Sequence, residues 1–103
     1  MDNNRVQRII EVLESACARK RMYLSEVTVS STMNFLGGFS VAAGIFGHQP
    51  SVEIMKKAWE GRGWEFLATG PLAEMKSKGM TEDEIIEELF QLEIQTWKLV
   101  DNH

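Results

Sequence analysis

Glu93 is the most out-of-place charge in this chain, standing between Leu89 and Trp97 at four-residue steps within an arc of apolar side chains. A carboxylate drawn into such an arc must be paired or take up a proton. It therefore reads as a ligand-holding or proton-handling group or, more commonly, as a charge at the edge of the packed face or one half of a structural ion pair with Arg19, Arg21 or Arg62. His48 follows an uncharged stretch in a Gly-His-Gln-Pro turn, a place for a general base or metal ligand. No His, Cys or carboxylate accompanies it at ligand spacing, and no nucleophile with an orienting partner is in view, which favours an ordinary turn residue. Arg62 and Trp64 flank Gly63. An arginine beside an indole can stack on a planar or anionic ligand, whereas in small domains a tryptophan more often seals the core. With Arg21 and Tyr23 these residues complete a candidate ligand-binding set: Arg21, Tyr23, His48, Arg62, Trp64 and Glu93. No catalytic residue, cofactor or metal is expected. Glu-x-x-His pairs are missing, Cys17 is the only cysteine, and His103 is terminal.

The elements that would position these groups are organised around the stretch from Val27 to Val52, which holds no Lys, Arg, Asp or Glu. From Ser31 to Gly47 it sorts as a helix. Phe35, Phe39, Ala42 and Phe46 make an aromatic ridge suited to a neighbour's groove. Gly37, Ser40, Gly44 and Gly47 make a second stripe, whose cost of about 1 kcal/mol per interior glycine implies a close helix-to-helix contact. This segment is expected to be the buried central helix. A membrane-spanning reading fails, because Ser, Thr, Asn and Gly dilute the run and its apolar part, Phe35 to Phe46, falls short of the roughly 20 residues a bilayer needs.

On either side the pattern is amphipathic. The first helix is expected to open at Asn3 or Asn4 and run to about Lys20, with Val6, Ile9, Ile10, Leu13, Ala16 and Cys17 on its inner face. Met22 to Val29 reads as a strand or, preferably, an extended connector pinned by Tyr23 and Leu24. Ser51 caps the next helix, whose inner face is Val52, Met55 and Trp59. Gly70-Pro71 restarts a helix that Gly79 closes. The last helix opens with a capping box, Thr81 with Glu84, and a staple, Met80 with Ile85. Its apolar residues, Ile85 to Val100, cover more than half the circumference, implying contacts on two sides, one of which another subunit can supply.

The segment Arg19-Lys20-Arg21-Met22-Tyr23-Leu24, followed by Phe35-Leu36-Gly37-Gly38-Phe39, resembles a pattern in small uncharacterised bacterial proteins. There a basic residue and Met-Tyr-Leu or Met-Tyr-Ile precede a helix carrying Phe-Leu-x-Gly-Tyr/Phe. The resemblance covers the first half of the chain, has Lys20-Arg21 where the pattern has Pro-Gly, and implies no activity. The same basic segment also resembles part of the ATPase domain of DNA gyrase B subunits. The Glu- and Asn-bearing helix and the Asp-x-Gly-x-Gly such a site needs are absent, so no ATPase reading follows.

The net charge of −4 is concentrated after Met80, where Lys98 is the only Lys or Arg. Arg19, Lys20 and Arg21 form the one basic cluster and equally suit the negative end of a helix. A helix-turn-helix over Leu72 to Leu92 would set Glu82, Asp83 and Glu84 against phosphates, so no nucleic-acid partner is expected. The amino terminus lacks the basic-then-apolar order of a secretion signal, and a cytoplasmic location is expected. The reading is a single all-α domain over residues 1–103, a compact bundle of four or five helices around a central apolar helix. Its expected role is a non-catalytic interaction or regulatory protein, homodimeric and open to other protein partners. The alternative is a small-molecule-binding protein or enzyme with a pocket near Glu93, His48 and Arg62.

Overall fold

The computed structural model describes residues 3–102; the side chain of Asn3, read above as a cap, and His103 lie outside the described residues. Six helices follow in order: α1 (Asn3–Ala18), α2 (Lys20–Tyr23), α3 (Val29–Ile45), α4 (Val52–Gly61), α5 (Leu72–Ser77) and α6 (Glu82–Asp101). There is no strand among the described residues, so the class is all-α, as expected. One more helix than the four or five expected is present among the described residues, the single turn α2, which takes Met22 and Tyr23 from the expected connector and leaves Leu24 to Thr28 irregular. Beyond it Leu24 is buried against the core and pins the irregular link to α3.

Local chemistry sets most of these boundaries. Thr28, Ser51 and Thr81 each accept a hydrogen bond from a backbone N–H in the first turn of the following helix. At α6 the box is reciprocal, Glu84 accepting from the Thr81 backbone N–H at 2.8 Å. Gly47 and Gly79, at φ of 85° and 75°, turn the chain after α3 and α5 in a conformation only glycine adopts cheaply. Pro71 stands at the cap of α5, one residue earlier than its expected first-turn position.

The helix at the centre is α6, on which α1, α3 and α4 all pack. Its wide apolar arc serves two adjoining cores. Ile86, Phe90, Ile94 and Trp97 meet Val6, Ile10 and Leu13 of α1 and Leu36 and Ala43 of α3, whereas Ile85 and Leu92 meet Trp64 and Met75. Leu89 and Val29 pack against both. The radius of gyration, 13.3 Å, is that of one compact body of this length. Lys98 pairs with Glu14, and Gln7 donates to Asp101, so α1 runs antiparallel to α6. The Val29 N–H donates to Glu82 and Ser40 to Glu93, so α3 runs parallel to α6.

This arrangement corrects the expectation that the uncharged segment is the buried central helix. Only Thr32, Leu36 and Ala43 of α3 are buried, because a single face of it meets α6 while its Ser, Asn and Gly positions look outward. The close approach inferred from the glycine stripe is also missing within the chain. A Cβ added at Gly37 would meet nothing within 4 Å, and one at Gly44 only the end of the Gln49 side chain. The second side of α6 is covered by Trp64 and Met75 of the same chain.

Candidate functional site

Arg62 and Trp64 do converge, but on Glu88. The Arg62 Nε donates to Glu88 Oε2 at 2.6 Å and Nη2 to Oε1 at 2.8 Å, a bidentate fork, while the indole Nε1 of Trp64 donates to Oε2 at 2.9 Å. The ammonium of Lys78 lies 4.7 Å from the indole centroid. Trp64 is buried in the core beside Met75, its ring and N–H both occupied. Burial works to raise the Glu88 carboxyl, yet the donors Arg62 and Trp64 outweigh it and hold the group below the usual carboxylate range. This cluster fastens the irregular segment after α4 onto α6. Glu88 was not singled out by the sequence; the signal for it lies in its position between Ile85, Leu89 and Leu92 at the edge of the apolar arc.

Glu93 has no cationic partner among the described residues. Its Oε2 accepts from Trp97 Nε1 at 3.0 Å and from Ser40 Oγ at 3.3 Å, and the residue borders a cavity of about 170 Å³ with Met33, Leu36, Trp59 and Leu89. Burial pushes its carboxyl above the ordinary range, the two donors pulling less strongly the other way. A group raised in the fold gives stability that is present below its unfolded value and lost as pH rises through the folded one. Glu93→Gln keeps an oxygen for both donors and cannot ionise. The expected result is a higher Tm at neutral pH with little change near pH 4; an equal shift at both would show that ionisation of Glu93 costs the fold nothing.

Tyr23 leans edge-on against Phe35, its hydroxyl 3.1 Å from Ser15 Oγ. Arg21 is exposed on the surface around the end of α1, beside Arg19 and Met22. The third member of that basic cluster, Lys20, donates to the Cys17 carbonyl at 2.6 Å and pairs with Glu87 at 3.3 Å, satisfying the carbonyl end of α1. Burial, then the hydrogen bond to Glu87, push the Cys17 thiol up to about 11, so it stays protonated and unreactive at neutral pH. No three His, Cys, Asp or Glu side chains gather as metal ligands would among the described residues.

His48 lies apart from all of these. It lines a groove of about 550 Å³ between α1 and the second half of α3, with Phe39 and Phe46 on one wall and Arg5, Arg8 and Ile9 on the other. Both its ring nitrogens are sealed from solvent with no hydrogen-bond partner among the described residues. The candidate set is thus distributed: Arg62 and Trp64 meet on Glu88, Glu93 faces α3, His48 lines the α1–α3 groove, and Arg21 and Tyr23 flank α2. Nothing in the α1 sequence alone marks Arg8 as a groove wall.

The remaining surface feature is the outer side of α3. Gly37, Val41 and Ile45 follow at four-residue steps with Asn34 and Gly38 beside them, all exposed, and Val41 and Ile45 are 65% and 76% exposed. No helix among the described residues is long and apolar enough to cross a membrane. Fold and surface together define a small helical domain in which Glu88 and Glu93 are hydrogen-bonded internally and whose uncharged helix is turned outward. No known protein family matches the chain, and neither the curated proteins nor the solved structures hold a significant match to it.

Proposed function

We propose that this chain is a small intracellular, non-catalytic interaction or regulatory protein that forms a homodimer through the outward face of α3. The observation that supports it is the exposure of Val41 and Ile45 on a helix without a single charge. A face of that kind gains free energy when water is removed from it. Two copies, each carrying −4, repel one another except where charge is absent, so the uncharged face is where they approach at least cost. Gly37 and Gly38 let a second backbone come close, and Asn34 can meet its own copy across a two-fold axis and fix the register.

Sedimentation equilibrium at tens of micromolar is expected to report a dimer. Ile45→Asp is expected to weaken it about thirtyfold, the equivalent of roughly 2 kcal/mol at an interface anchor. Helical circular dichroism should be unchanged, because Ile45 contributes little to the monomer's core. A chain that stays monomeric into the hundreds of micromolar would sink the reading.

A further inference from the structure

We propose that the groove between α1 and α3 binds an apolar-tailed monoanion, a medium-chain carboxylate, with the tail along α3 and the carboxylate at Arg8 of α1. This goes beyond the dimer reading and uses a different side of α3. The groove exists because α1 and α3 each pack on α6 rather than on one another, leaving a wedge between them. Its volume, about 550 Å³, lies within the roughly 300–1,000 Å³ of small-molecule sites.

The chemistry of the walls selects the occupant. Ile9, Phe39, Ala42 and Phe46 offer an apolar bed, and Phe46 is 72% exposed, a large aromatic surface left facing water. Arg8 brings a guanidinium to one edge, beside Arg5, and no Asp or Glu among the described residues lines the groove. A guanidinium holds a carboxylate through two parallel hydrogen bonds, which a neutral head cannot match. His48 adds a second observation pointing to a polar group in an otherwise apolar place, since both its ring nitrogens lack a partner among the described residues. A neutral imidazole carries one N–H, and a carboxylate seated at this end supplies an acceptor for it after a small rotation of the ring.

The test is isothermal titration of the full chain with sodium laurate below its micelle concentration, beside sodium decanoate and lauryl alcohol. Saturable one-to-one binding of laurate is expected, and each methylene lost from the tail should weaken it roughly fourfold. Arg8→Glu should cost laurate at least tenfold and leave lauryl alcohol unchanged. Ala42→Trp, which fills the bed, should abolish both; circular dichroism of each variant establishes that it is folded. Ile45→Asp should bind laurate as the parent does, so loss of the dimer and loss of the ligand are read separately. Three results overturn the proposal: no saturable binding of free laurate, equal laurate affinity in the parent and Arg8→Glu, or association only with vesicles of phosphatidylglycerol and phosphatidylcholine.

Discussion

Trp97→Ala is expected to remove about 3–5 kcal/mol of stability, the range for deleting a large aromatic from a packed core. Trp97 is fully buried on the face of α6 that meets α1 and α3. Small domains are stable by only about 5–15 kcal/mol in total, so the variant would lose a large share of that margin. The indole has a second role that truncation to alanine merges with the first, because its N–H is one of two donors to Glu93. Trp97→Phe separates them, keeping an aromatic ring and deleting the donor. Its penalty in urea unfolding should be larger at pH 7 than near pH 4, where Glu93 is protonated and needs the donor less. A penalty independent of pH would count against the indole as the support of that carboxylate.

Glu88→Ala is expected to cost about 2–3 kcal/mol, the scale of losing hydrogen bonds to a charged group and leaving a buried donor unmet. The Trp64 N–H has no other acceptor among the described residues, and the Arg62 fork is released into solvent. Arg62→Ala should cost less, on the order of 1 kcal/mol, because the guanidinium is partly exposed and Trp64 retains its acceptor. Glu88 is held below its usual range, so its contribution is present above the unfolded value and lost as pH falls through the folded one. That sign is opposite to Glu93. Urea midpoints from neutral to acid pH should therefore fall less steeply in Glu88→Ala than in the parent, and an unchanged slope would refute the assignment.

The capped starts were legible because their signals are local: Thr81 with Glu84, and Ser51 before α4, act within one turn of chain. The inner stripe of α1 and the wide arc of α6 were legible for the same reason, since helical periodicity needs no knowledge of neighbours. The central position of the Val27 to Val52 stretch was misread because freedom from charge was equated with burial. Ser30, Asn34, Gly37 and Gly38 are uncharged yet tolerate water, and the wide arc of α6 commands the interior. The α1–α3 groove and the Glu88 cluster were out of reach of periodicity. Each depends on where two distant segments sit relative to one another, Arg8 against Phe46 and Arg62 against Glu88.

Because α1, α3 and α4 all rest on α6, which follows them in the chain, neither core can close until α6 has emerged from the ribosome. The nascent α3, rich in phenylalanine and bare of charge, spends that interval without its cover, in the state from which chains aggregate.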